Sequence, residues 1–326
     1  MKKALLILTL FTFLSCENSN TKGKRLLSPS SGNINNLSVV VDNDLWEGSI
    51  GESIRSILAE PVYGLPQEEP LFTLRQMPTV VFTDFAKRNR TVLKIEKGQN
   101  KDATTKYYEN PFAVPQKLVL VSGKTNREII EQLETNSQKI ISAFKNEELK
   151  EKQKRIHKSL HSYKGTQEKL NVSLKFPSAY RIAKEEDKFF WLRRDIQTGT
   201  LNIMIYELPL EAISKGEETV DDIIKIRDSV GKVHIPGPVE GTYMVTEDAY
   251  TPFSQGIILD NKPTIETKSI WEVKDAFMSG PFINYTITDE INKRLIVVEG
   301  FAYAPSVEKR DYVFELESII RSISVK

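Results

Sequence analysis

From residue 37 onward the chain alternates short β-branched runs with stretches that are apolar at helical spacing. That alternation confines it to a layered fold of sheets and helices. Runs at 37–41, 117–121, 170–176, 243–246, 269–273, 282–287 and 294–298 read as strands. The runs 79–85 and 91–95 read as an antiparallel pair, and 189–192 and 201–206 flank Thr198-Gly199 as a hairpin. Helices are predicted over 46–58, 126–144, 220–230 and 307–323. The second of these presents Ile129, Leu133, Ile140 and Phe144 on one face, and the last presents Val313, Leu316, Ile320 and Ile323. The expected fold class is α+β: mostly antiparallel sheets with amphipathic helices packed on one face. A strand that ends in glycine and leads into a helix occurs at 117–123 and again at 294–300. The repetition reads either as two related halves or as a common local unit used twice.

The organisation expected from these patterns is a lipoprotein signal peptide over 1–15 and a flexible tether over 16–36. An N-terminal α+β half over 37–144, a charged connector helix over 145–168 and a C-terminal α+β half over 169–326 follow. Glu147, Glu148 and Glu151 interleave with lysines in the connector, so its charges read as a solvated face.

The N-terminus carries the most specific signal. Lys2 and Lys3 precede an apolar run over 4–14, shorter than the roughly 20 residues a membrane-spanning helix needs. Ser15 and then Cys16, the sole cysteine, end that run. Phe13-Leu14-Ser15-Cys16 resembles the lipobox of bacterial lipoproteins, in which the thiol is acylated and the mature chain begins at the cysteine. The expectation is an exported protein of the cell envelope, anchored through lipid on Cys16 to the outer membrane and facing the periplasm. The anchor makes the membrane one partner, and an envelope protein is a second expected partner.

Forty-five basic residues against 44 acidic ones give no global field toward nucleic acid, and no nucleic-acid partner is expected. One cysteine excludes a disulfide framework, and three histidines leave little imidazole for catalysis. His157 and His161 would share a helix face, but their neighbours are cationic, so no metal is assigned. Ser122-Gly123-Lys124-Thr125 lacks the first glycine of a phosphate loop and reads as strand-to-helix turn chemistry, and no cofactor is expected. The candidate binding residues are Gln67 and Glu69 in a Pro-rich irregular segment, Arg88 and Arg90 between two strands, and Trp191 and Trp271. Irregular backbone carrying polar side chains, guanidinium groups that match carboxylates or phosphates, and large aromatics are common parts of binding sites.

Several ordered strings support one family-level resemblance. They include Gly64-Leu-Pro-Gln-Glu-Glu-Pro-Leu-Phe72, Arg88-Asn89-Arg90, Phe189-Phe-Trp-Leu192, Met278-Ser-Gly-Pro-Phe282 and Phe301-Ala-Tyr-Ala-Pro305. With the lipobox-like start, they resemble an uncharacterised family of Bacteroidetes-type lipoproteins known only as a domain of unknown function, number forty-eight thirty-seven. Lys268-Ser269 departs from the Arg-Gly pair the resemblance leads one to expect. The resemblance implies an exported, lipid-anchored protein and supplies no reaction. The functional expectation is therefore a non-enzymatic binding or assembly module. The alternative is a hydrolase acting on an envelope polymer through paired carboxylates. Glu68-Glu69 and Asp221-Asp222 are adjacent in sequence and point apart on a regular element, so such a pair must assemble from distant positions.

Overall fold

The computed structural model describes residues 26–326. Cys16, the expected signal peptide and the first part of the expected tether lie outside the described residues. The first half comprises β1 (Ser28–Pro29), β2 (Asn36–Val40), α1 (Asn43–Glu47), α2 (Ser49–Leu58), β3 (Thr73–Met77), β4 (Thr91–Lys97), β5 (Thr104–Glu109), β6 (Ala113–Val114), β7 (Lys117–Gly123), α3 (Asn126–Thr135) and α4 (Ser137–Ile156). Five strands form a sheet in the order β3-β2-β4-β7-β5. All neighbours in it are parallel except β5, which runs antiparallel to β7. Burial explains the direction. Val39, Leu93 and Val119 pack toward α2, α3 and α4, while Val40, Val92 and Leu118 are buried on the opposite face. Strands buried on both faces read as continuous apolar runs, the mark of parallel ladders.

The antiparallel pair expected from 79–85 and 91–95 does not form. Residues 79–81 and 86–88 are 3₁₀ turns, and Asp84 at φ +33° interrupts the extended backbone between them. This irregular segment lays Phe82 over Val40, Val92 and Leu118 instead of adding a strand.

The second half comprises α5 (Gly165–Leu170), β8 (Val172–Ser173), β9 (Arg181–Glu185), β10 (Phe189–Ile196), β11 (Gly199–Pro209), α6 (Thr219–His234), β12 (Met244–Thr246), β13 (Phe253–Leu259), β14 (Lys262–Val273), β15 (Ser279–Asp289), β16 (Arg294–Tyr303), α7 (Arg310–Ile320) and β17 (Ser324–Val325). Its large sheet is antiparallel throughout, in the order β12-β14-β15-β16-β11-β10-β9. β13 shares the outer edge of β14 with β12. The strand expected over 170–176 shortens to β8, because α5 occupies the chain up to Leu170. One face of the sheet, with Ile203, Ile283, Tyr285 and Val298, packs against Val313, Leu316, Ile319 and Ile320 of α7. Gly300 permits that approach, since a Cβ there would stand 2.8 Å from the Leu316 Cβ. The other face, with Met204, Phe282, Val297 and Phe301, is covered by Ile224, Ile226 and Val230 of α6. Helices on one face thus describe the first half, and the second half adds α6 on the reverse side. The mostly antiparallel α+β architecture stands, and the two halves share the strand-then-helix unit at β7–α3 and β16–α7.

Two segments differ from expectation for the same reason: their polar groups find partners inside the fold. In the latter part of the tether, β1 pairs in parallel with β6, and the Asn35 N–H donates to Glu148 Oε2 at 3.0 Å. α4 runs unbroken through residue 145, and Glu148 on it is fully buried. Its carboxylate takes two bonds from Arg90, Nε at 3.0 Å and Nη2 at 2.8 Å. The connector's charges are therefore partly structural, not a solvated face. No helix among the described residues is long and apolar enough to cross a membrane.

Breaking the Arg90–Glu148 pair from one side leaves a buried guanidinium without its counter-charge, at a cost of about 3–5 kcal/mol. Glu148→Ala should lower the free energy of unfolding in urea by that amount. Arg127→Ala, which removes an exposed ion pair with Glu131, should change it by less than about 0.5 kcal/mol.

Candidate functional site

A cleft of about 380 Å³ opens where the two halves meet. The segment 60–70 forms one wall. It leaves α2, crosses to the second half and buries Leu65 in the core under α7. Gly64, at φ +78°, abuts β14 so closely that a Cβ would meet the Lys268 Cβ at 3.0 Å. Tyr63, carried out by this segment, stacks on Phe253 of β13 with ring centroids 5.0 Å apart. Phe72, Ile141 of α4 and Phe314 of α7 continue the apolar lining.

The floor is charged. Lys145 of α4 reaches Glu317 of α7 at 2.9 Å, and Arg321 Nε donates to the same carboxylate at 2.7 Å. Lys268 pairs with Glu266 at 3.0 Å, and the Tyr285 hydroxyl donates to Glu266 at 3.1 Å. Burial would raise the Glu317 carboxyl, but the charges of Lys145, Arg321 and Lys268 outweigh it and hold the group at about 2. Glu266 is likewise lowered: burial opposes ionisation, and Lys268 overcomes it. Burial, followed by the charges of Glu317 and Glu266, pushes the Tyr285 phenol far up. Among the residues that line the cleft, Lys145, Lys268 and Arg310 stand against Glu60 and Glu317, an excess of one positive charge in an aromatic cleft. Such an arrangement favours holding an anionic group. Neither floor carboxyl keeps a proton near neutrality, as the acid of a carboxylate hydrolase must.

The residues singled out in the sequence are distributed as follows. Glu69 is buried and accepts the backbone N–H groups of Lys309 and Arg310, each at 2.7 Å. It is a carboxylate cap on the N-terminus of α7, where the helix dipole favours negative charge. Arg90 is committed to Glu148. Gln67 and Arg88 are exposed. Trp271 is buried between the α6-covered face and the Ala302 carbonyl, to which its Nε1 donates at 3.2 Å. Trp191 is half-buried and donates to Asn202 Oδ1 at 3.0 Å. It borders a shallower, separate depression beside His234, whose ring stacks on Phe189 at 3.9 Å. None of these six side chains lines the inter-half cleft, although the backbone segment that carries Gln67 and Glu69 builds its wall.

His157 and His161 do not share a helix face, because α4 ends at Ile156 and His161 turns away to stack on Phe176 at 5.0 Å. No metal-binding group of three or more His, Cys, Asp or Glu occurs among the described residues. Thr125 accepts the Glu128 N–H at 3.2 Å, and Glu128 accepts the Lys124 N–H at 2.7 Å. The pair caps the start of α3, with the Glu128 carboxylate reaching one residue past the N-cap, and is not a phosphate cradle. Carboxyls with raised proton affinity do occur. Burial raises Glu148 and Glu299, and both are sealed against arginines. Lys145, Phe253 and Glu317, which line the cleft with Lys268, carried no sequence signal of their own. These four come from four elements, and only folding brings them together.

A family model described as Domain of unknown function (DUF4837) matches residues 159–322, and a second, Domain of unknown function (DUF8532), matches residues 30–157. No curated protein matches the chain. Among solved structures, the Ran-binding protein Mog1p of Saccharomyces cerevisiae is similar at 7% identity. That likeness covers 47% of this chain and 89% of Mog1p, with a TM-score of 0.31. Cyanobacterial PsbP from Synechocystis sp. PCC 6803 is similar at 13% identity over 52% of this chain and 93% of that one, with a TM-score of 0.34. Human StAR-related lipid transfer protein 5 is similar at 10% identity over 52% and 96% of the respective chains, with a TM-score of 0.25. Likenesses this distant assign neither ligand nor partner.

The floor charges make a pH-dependent contribution to stability. Glu317 is held at about 2, below its ordinary 4.5. A carboxyl lowered by folding stabilises fully above its unfolded value and loses that contribution as pH falls through the folded one. Glu317→Gln should be less stable than the parent near neutrality, by roughly 3 kcal/mol. That gap should narrow as pH drops from about 5 toward 2, followed by urea unfolding at each pH.

Proposed function

The chain belongs to the family described as Domain of unknown function (DUF4837). We propose that it is an exported, lipid-anchored binding module of the cell envelope. Its cleft between the halves holds a small amphipathic anion. The observation that carries the reading is the pairing, in one cleft, of an aromatic wall at Tyr63 and Phe253 with a lining in which cations outnumber carboxylates by one. A cavity of 300–1,000 Å³ with mostly apolar lining and a few placed polar groups is the usual form of a small-molecule site. The apolar part of the ligand would lie along the Tyr63–Phe253 stack, and its anionic group would face Lys145 and Lys268.

Cys16 supports the anchor, being the sole cysteine and placed directly after a short apolar leader and a small residue. Several acyl chains on one residue give stable attachment, each buried CH₂ contributing about 0.8 kcal/mol. Placement on the outer membrane, facing the periplasm, and docking to an envelope protein belong to the same proposal.

The probe for the cleft is 8-anilinonaphthalene-1-sulfonate, an aromatic anion whose emission reports burial. The full chain should bind it in saturable fashion, and Tyr63→Ala combined with Phe253→Ala should weaken binding by about tenfold, as loss of roughly 1.4 kcal/mol of contact implies. Phe277→Ala, at a fully exposed site, should leave binding unchanged. Equal binding by all three proteins would overturn the assignment of the cleft.

A further inference from the structure

The face of the first sheet away from α2, α3 and α4 ends in an apolar surface that stays exposed among the described residues. Val80 is 81% exposed and Phe85 70%, with Val81, Phe112 and Val114 also exposed. They lie on two segments, 80–85 and 112–114, that meet where the Phe82 and Phe112 rings touch. Phe82 closes over Val40 and Leu118, Phe112 meets the Phe82 ring edge-on at 5.9 Å, and the Lys87 ammonium stands 5.4 Å from the Phe112 ring. The Gln116 side chain pins the two segments together, its Nε2 donating to the carbonyls of Lys87 and Asn89 while its Oε1 accepts the Phe112 N–H.

The tether enters the fold beside this patch. The Ser30 N–H donates to the Val114 carbonyl at 3.0 Å, and the Ser31 N–H donates to the Arg88 carbonyl at 2.9 Å. Ser28, the first residue of β1, follows Cys16 by twelve positions. Twelve residues reach at most about 40 Å. An anchor at Cys16 therefore holds this side of the body close to the bilayer at high effective concentration. Residues 17–25 contain no large apolar side chain that could cover the patch themselves. The charges nearby suit a headgroup layer: Lys87 and Arg88 lie in the segment 78–90, whose single acid is Asp84, and Lys22, Lys24 and Arg25 lie in the tether.

We propose that the patch of Val80, Val81, Phe85, Phe112 and Val114 is the surface by which the folded body rests on the membrane that holds its anchor. Aromatic and aliphatic side chains would enter the headgroup boundary, with Lys87 and Arg88 at phosphate level. The body would then lie with its helix-covered face turned away from the lipid. The inference rests on the reading of Cys16 as the lipidated residue.

The test places the photocrosslinker p-benzoylphenylalanine in the full chain, processed in a bacterial envelope, in place of Phe85 or of Arg127. Arg127 is exposed on α3, across the sheet from the patch. Irradiated membranes should yield phospholipid adducts from position 85 and none above background from position 127. Protein adducts alone at 85, no adduct at 85, or equal lipid adducts at both positions would overturn the proposal. A Cys16→Ala chain tests the anchor separately. Release into the soluble fraction is expected, and persistence in the membrane would remove the lipid-anchor reading while leaving the adducts at 85 to judge the patch.

Discussion

The N-terminus of α7 is held by a carboxylate that belongs to the other half of the chain. Glu69 takes both free N–H groups of Lys309 and Arg310. Hydrogen bonds to a charged acceptor contribute about 1.5–3 kcal/mol, and α7 supplies Val313, Leu316, Ile319 and Ile320 to the largest core of the second half. That core helix therefore depends on a loop more than 200 residues earlier in the sequence. α4 adds to the same contact from its side, with Lys145 on Glu317, Lys152 on Glu315 and the Gln153 amide on the Ser318 carbonyl. The two halves are built as separate sheets, but the helix at the centre of one is capped and flanked by the other.

The cleft follows from that arrangement. Its wall is the segment that ends in Glu69, its floor is the charge set that joins α4 to α7, and its mouth is the stack of Tyr63 from one half on Phe253 from the other. A site made at such a seam is formed only when both halves are folded and docked. The apolar patch lies elsewhere, on the sheet face away from α2, α3 and α4, so lipid contact and ligand binding would use different surfaces. The segment that leads in from Cys16 and the patch meet at β1 and β6, so lipid on Cys16 would give the proposed membrane orientation a covalent cause.

Much of the fold was legible in the sequence. The Thr198-Gly199 hairpin, the strand at β7 and the helices α6 and α7 follow directly from periodicity and turn residues. The parallel direction of the first sheet was also written there, in the unbroken Val-Val-Val and Leu-Val-Leu-Val runs, but it is a signal about both faces of a strand and was read as one. The buried charges were not legible. Glu148 pairs with Arg90 across 58 positions, and Arg227 pairs with Glu299 across 72. A periodicity argument assigns faces by hydrophobicity, so an ion pair closed between distant elements looks like solvated surface. Glu69 and Arg90 were picked out for their chemistry, and the structure spends that chemistry on the fold. The cleft residues had no such mark because no local pattern announces a seam between two sheets.

Capped and flanked in this way, the halves form one cooperative unit, and the tryptophans allow that to be read directly. Trp46 packs against the first core and Trp271 is buried in the second half. A chain carrying Trp191→Phe and Trp271→Phe reports the first half by fluorescence, and one carrying Trp46→Phe and Trp191→Phe reports the second. With variant stabilities matched by circular dichroism, the urea transitions from the two reporters should coincide. Separate midpoints, with one half remaining folded while the other is unfolded, would contradict it.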